Sequence, residues 1–304
     1  MKERGDDMEE MTNAVKPYES LEFTDDFIFW KVLTTDLYLC RELLELVLGV
    51  EIEKVELAEG QKTMQPQPDS HGIRLDVYVV DEAHSVYDID MQTKLSEHLP
   101  KRMRYYQSVI DLNQLESGKS YSMLNRSYVI FICLADLFKV GMAVYQFKNL
   151  CVNDTSIELG DETEKIILNA AGSRDGLSQK MTNFLDYLMT HEAKDKFTKA
   201  LAKAVDRARN NPKWRNDYMK YEADKADLIN QGIAIGEARG KEQGIAIGEA
   251  RGEARGEARG KEEERIYNIR CIMSKFKLSL DQAMDTIGLS KDEKKRMLSL
   301  MNKK

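Results

Sequence analysis

The stretch Gly72-Ile73-Arg74-Leu75-Asp76-Val77-Tyr78-Val79, followed closely by Tyr87-Asp88-Ile89-Asp90-Met91-Gln92, decides how this chain reads. Both runs alternate apolar and polar residues, the period of a half-buried β-strand, and predict strands over about 73–80 and 85–92. On the first, Ile73, Leu75, Val77 and Val79 share one face and Arg74, Asp76 and Tyr78 the other. On the second, Tyr87, Ile89 and Met91 match the apolar face, and Asp88, Asp90 and Gln92 the polar one. A hairpin that pairs Asp81 with Ser85 sets Asp76 opposite Asp90 and keeps the apolar faces together. A one-residue slip would set Asp76 against Ile89 and split them, so core burial selects the first register.

Two carboxylates facing each other across neighbouring strands repel. Mg²⁺ or Mn²⁺ removes that conflict, because hard cations take oxygen ligands. Such an ion lowers the pKa of a bound water and stabilises charge on a phosphate. Gln92 can orient that water or a phosphate oxygen but cannot act as a charged base, and Lys94 follows at the strand's end. Acidic residues on a strand face fit a plain solvated sheet equally well. The next helix weighs toward chemistry: Lys101, Arg102 and Arg104 cluster at its start, with Tyr105 and Tyr106 behind them. Strand-to-helix order would bring these cations and phenols beside the acidic pair, where a scissile phosphate would bind.

Working outward, Thr24 can cap a helix from Asp25, with Asp25 and Asp26 in its first turn. A second helix, about Asp36 to Leu48, stops at Gly49. Val50 to Leu57 is a candidate first strand, and Gln61 to Ser70, with Pro66 and Pro68, reads as a loop. Leu99 to Leu115 is a helix by its apolar stripe, ended by Gly118. Ser127 to Leu134 is nearly continuous in apolar residues, as in a strand covered on both faces. Met142 to Phe147 and Ile157 to Leu168 complete the candidate strands of a mixed α/β core. From Gln179 to Asp227 the pattern is helical. Between Lys194 and Lys220, nine Lys/Arg face three Asp, with Trp214, Tyr218 and Tyr221 in or beside the run. That run is either a solvated helical face or a phosphate-tracking surface.

From Gly232 to Gly260 a glycine falls at every fourth position, in units such as GIAI, GEAR and GKEQ. Each glycine costs a helix about 1 kcal/mol relative to Ala, while Glu–Arg pairs return a few tenths. The segment is either a frayed spacer or a helix that associates with a copy of itself along the glycine stripe. Beyond it, Leu278 to Ser290 reads as helix, glycine turn, helix, a small tail module with helix-turn-helix as one reading.

At these motifs the chain resembles the recombination-promoting nuclease (Rpn) and putative transposase family of the PD-(D/E)XK nuclease superfamily. The similar text is Phe23-Thr24-Asp25-Asp26-Phe27-Ile28-Phe29, Ile73-Arg74-Leu75-Asp76-Val77-Tyr78 and Tyr87-Asp88-Ile89-Asp90-Met91-Gln92. It continues through Arg104-Tyr105-Tyr106-Gln107-Ser108, Leu115-Glu116-Ser117-Gly118-Lys119-Ser120-Tyr121 and Tyr128-Val129-Ile130-Phe131-Ile132, and includes the glycine repeat and short tail. The resemblance implies a metal-dependent DNA endonuclease on a PD-(D/E)XK core, with Asp76 and Asp90 as metal ligands and Gln92 in the place of the superfamily lysine. It also implies that Asp26 contributes from the first helix. Asp90 stands where the family usually has glutamate, one methylene longer.

The organisation expected is a loose leader over 1–20, the nuclease-like core over 21–175, and a basic helical segment over 176–230. The repeat over 231–262 and a helical module over 263–304 follow. The expected function is Mg²⁺- or Mn²⁺-dependent hydrolysis of DNA, associated with recombination or mobile elements. Asp76, Asp90 and Gln92 form the catalytic set; Asp26, Asp88 and Lys94 are accessory; Lys101, Arg102, Arg104 and Tyr105 hold phosphate. The alternative is a degenerate nuclease fold that binds DNA or protein and oligomerises through 231–262. The acidic start and the interrupted apolar run Tyr128 to Phe147 predict no signal peptide, no membrane span and a cytoplasmic location. A formal net charge of −7 requires that DNA meet a local basic patch. The four cysteines are scattered and read as thiols, and His71, His84, His98 and His191 lack metal spacing. No Walker-type loop or Ser-His-Asp arrangement is legible.

Overall fold

The computed structural model describes residues 15–58, 75–115 and 118–301. Ile73 and Arg74, the loop from Gln61 to Ser70, His71 and most of the expected leader lie outside them. The chain divides into two compact units, Met1–Glu222 and Ala223–Lys304.

In the first unit, α1 (Asp26–Thr35) and α2 (Leu37–Leu48) precede the sheet. Thr24 does not cap α1; it is buried, and Asp25 takes the N-cap position. The Asp25 carboxylate turns back instead, accepting from the Glu22 N–H and from Lys16 Nζ, both at 2.6 Å. Asp36 caps α2, and Gly49 closes it at φ +68°, a left-handed conformation that favours glycine.

Six strands form the main sheet: β1 (Val55–Leu57), β2 (Val77–Asp81), β3 (Val86–Gln92), β4 (Ser127–Cys133), β5 (Val144–Phe147) and β8 (Thr163–Asn169). Between β5 and β8, β6 (Leu150–Cys151) and β7 (Asp154–Glu158) form a separate hairpin. The order across the sheet is β1-β2-β3-β4-β8-β5. The run from Ile157 to Leu168 is therefore not one strand: Gly160, at φ +74°, lies between β7 and β8, and β8 inserts beside β4, leaving β5 at the edge. β3, β4 and β8 are parallel, whereas β2 and β5 are antiparallel to their neighbours. Parallel neighbours need a crossover, and α3 (Leu99–Gln114) supplies it between β3 and β4.

That crossover corrects the half-buried reading. α3 lays Leu99, Met103, Tyr106, Val109 and Ile110 over the face that alternation assigns to polar residues. The opposite face is covered by α1, α2, α4 (Gln179–Thr190) and α5 (Lys196–Arg209). All seven residues of β3 are buried, Asp88 and Asp90 included.

α6 (Pro212–Phe276) starts on the first unit. Its Tyr218 Oη donates to the Lys16 carbonyl at 2.8 Å, and Tyr18 Oη donates to the Ala208 carbonyl at 2.5 Å. Phe27 packs edge-on against Tyr18 and Tyr218. Several cations of the basic stretch are neutralised here: Arg207 by Asp36, Arg209 by Glu22 and Arg215 by Glu19. Its aromatic residues Trp214, Tyr218 and Tyr221 belong to the core or pack on it.

In the second unit, α7 (Leu280–Thr286) and α8 (Lys291–Met301) gather with α6 around Ile269, Ala283, Met284 and Met297. Ser279 and Gln282 form a capping box, and Gly288 turns the chain at φ +72°. Gly232 to Gly260 all lie within α6, with open space where a Cβ would stand. Among the described residues, no helix is long and apolar enough to cross a membrane.

Candidate active site

The ladder between β2 and β3 fixes the centre of the site. Val77 pairs with Ile89, and the Asp81 N–H donates to the Ser85 carbonyl at 3.1 Å. One position further along, Asp76 stands opposite Asp90, the register that core burial selects. The two carboxyls lie within hydrogen-bonding reach of each other. Burial, then the charge of Asp90, raises the Asp76 pKa well above the usual carboxylate range. Asp90 is also raised by burial, although Arg102, Asp76 and Gln92 pull it back.

Two further side chains hydrogen-bond to Asp90. Gln92 Nε2 donates to Oδ1 at 2.6 Å, and Arg102 Nη2 donates to Oδ2 at 2.5 Å. Arg102 Nη1 reaches Gln92 Oε1 at 3.0 Å, and its Nε reaches Tyr106 Oη at 2.9 Å. Its guanidinium lies 5.0 Å from the Tyr106 ring centre and 5.2 Å from that of Phe131, close enough for cation–π attraction. Asp26, the first residue of α1, lies near enough for its charge to raise both Asp76 and Asp90.

Asp88 is completely buried, and neither carboxyl oxygen has a hydrogen-bond partner among the described residues. Burial and the nearby Asp90 raise its pKa well above the ordinary value. Its cross-strand neighbour Tyr78 is pushed up to about 12, chiefly by burial.

The structure thus brings together Asp26, Asp76, Asp88, Asp90, Gln92 and Arg102. The other residues read from the sequence lie apart from this point. Lys94 is exposed two residues beyond β3, and Lys101 and Arg104 are exposed on α3. Tyr105 is half-buried against the α3 side of the core. Phe131, which floors the guanidinium, escaped the sequence reading because a strand buried on both faces gives it no polar signal. The Arg102–Tyr106 contact was legible, since residues four apart on a helix are neighbours.

Among the described residues, no group of three or more His, Cys, Asp or Glu side chains is placed to hold a metal ion. The donor set still fits a hard divalent cation. Asp76 and Asp90 are two oxygen donors in contact, set among further carboxyls with one bonded guanidinium. Mg²⁺ is commonly held by one or two carboxylates, its other positions going to water and substrate phosphate. A cation there would relieve the repulsion between the two carboxylates.

A protein-family model described as PD-(D/E)XK nuclease family transposase matches residues 24–232, the larger part of the chain. No curated protein and no solved structure matches. The matched span contains β1 to β8, α1 to α5, the acidic cluster and the start of α6.

Proposed function

Because the chain belongs to the PD-(D/E)XK nuclease family transposases, we propose that it is a Mg²⁺- or Mn²⁺-dependent DNA endonuclease acting in recombination or element mobility. The observation that carries this reading is the contact between the Asp76 and Asp90 carboxyls inside an acid-rich, largely buried cluster. Asp76 and Asp90 hold the cation, with Asp26 adding negative potential from the start of α1. A cation bound there supplies a water of lowered pKa and offsets charge developing on the phosphate. Gln92 fixes the Asp90 rotamer through its carboxamide and orients a water or phosphate oxygen; it cannot take the proton. Arg102, whose side chain is partly exposed, pairs with a phosphate oxygen through a charge-assisted hydrogen bond.

Plasmid nicking in Mg²⁺ tests the site. Wild-type protein converts supercoiled DNA to nicked or linear forms, and Asp76→Ala loses at least a hundredfold in rate while keeping its circular dichroism. Nicking that survives intact in Asp76→Ala removes these residues as the site.

A second reading has its own observation. Arg102 already neutralises Asp90, and an arginine in this position suits a nuclease fold that binds DNA or protein without cutting. In that reading the repeat over 231–262 assembles copies of the chain. Calorimetry separates the two: saturable Mg²⁺ or Mn²⁺ binding supports the nuclease, and no binding of either supports the binding module.

A further inference from the structure

On the same sheet face as the acidic pair, an open cavity of about 460 Å³ lies between α3 and the edge strand β5. Its wall carries three cations, Arg104, Lys148 and Lys165, and two phenylalanines, Phe138 and Phe147, with no carboxylate. The phenylalanine rings stand 5.5 Å apart, and both are part-exposed, Phe147 at 43%. Arg104 and Lys165 form no ion pair among the described residues. Lys148 is shared loosely between Glu158 and Glu164, at 3.6 and 3.5 Å.

The register places this groove relative to the acids. One row across the sheet runs Asp88, Val129, Lys165, Phe147, and the next runs Asp90, Phe131, Ile167, Tyr145. Lys165 therefore lies two strands from Asp88, about 10 Å at the usual strand spacing. α3 links the two places, with Arg102 on Asp90 and Arg104 on the groove.

We propose that this groove seats an unpaired nucleotide of single-stranded DNA, one or two positions from the phosphate held at Asp76 and Asp90. The base stacks on Phe147 and Phe138, and the backbone phosphates lie against Arg104 and Lys165. Aromatic faces beside cations are the elements from which single-strand sites are built, and the volume suits one nucleotide rather than a duplex. Stacking on a ring requires a base freed from pairing, so the groove selects single-stranded or locally opened DNA. This inference rests on the nuclease reading for the position of the cut and refines its substrate.

The test is fluorescence anisotropy of the full-length protein in EDTA, with a short labelled oligothymidylate and a blunt duplex of matching length. Wild type binds the oligothymidylate more tightly than the duplex. Phe147→Ala weakens oligothymidylate binding about tenfold or more. Arg104→Gln, an exposed change that leaves the core intact, lowers the dependence of log affinity on log salt by about one phosphate contact. Tyr121→Ala, exposed and off the groove, binds as wild type. Equal binding of duplex and single strand, or wild-type affinity in both groove variants, overturns the proposal. The failures are distinguishable. Groove-dependent binding by a protein that never nicks DNA in Mg²⁺ sinks the nuclease reading alone, whereas nicking with binding unaffected by both groove variants sinks the groove alone.

Discussion

Arg102 and Asp88 resolve the same electrostatic problem in opposite ways. At Asp90 a guanidinium and a carboxamide meet the two oxygens and offset the burial that raises its pKa. Removing the guanidinium charge hands that task to whatever cation is available. Arg102→Gln is expected to bind Mn²⁺ about tenfold more tightly by calorimetry, a change of ~1.4 kcal/mol. The metal-free protein should lose about 2 kcal/mol of stability with its charged hydrogen bond. Asp88 has no hydrogen-bond partner among the described residues, and burial raises its pKa well above the ordinary value. Its folded pKa lies above the unfolded value, so its contribution to stability is complete below the unfolded pKa and is lost as pH rises through the folded one. In EDTA, Asp88→Asn should flatten the fall in melting temperature from mildly acidic to neutral pH. At neutral pH it should gain on the order of 1–3 kcal/mol. Parallel pH profiles for the two proteins would show that Asp88 has another partner.

At the scale of elements, the register of β2 against β3 was legible because alternation leaves only one pairing that keeps Val77, Val79, Tyr87 and Ile89 together. The burial of the polar face was not legible, since α3 reveals which face it covers only by its crossover. Nor was the place of β8, because strand order is set by contacts distant in sequence. The candidate site divides in the same way: Asp76 opposite Asp90 follows from local pattern, whereas Arg102 on Asp90 depends on how a helix crosses a sheet. α6 invites a direct experiment. Its repeat glycines contact nothing where a Cβ would stand, so Gly244→Ala with Gly248→Ala should raise helicity, each change adding up to about 1 kcal/mol to the helix. If the stripe packs a second copy closely, the same variant instead lowers the mass measured by light scattering.

Over the whole molecule, the first unit depends on chain far beyond its sheet. Phe184, Phe197 and Leu201 are fully buried in the core that also holds α1, and Tyr18 and Tyr218 tie the amino-terminal turn to α5 and α6. A fragment ending at residue 178 should aggregate or lack cooperative unfolding, whereas one ending near 230 should melt cooperatively, as calorimetry would report. A compact, cooperative 1–178 fragment would mean that the helices are dispensable.

The tyrosine ties also bear on the order of events at the ribosome. Synthesis runs from the amino terminus, so α1 emerges long before α5 and the head of α6 that cover it. Asp26 rides on α1, and the helices packed over α1 are the last of that core to be made. A nascent polypeptide halted between β3 and α5 carries every acid of the cluster while α1 still lacks the helices that cover it.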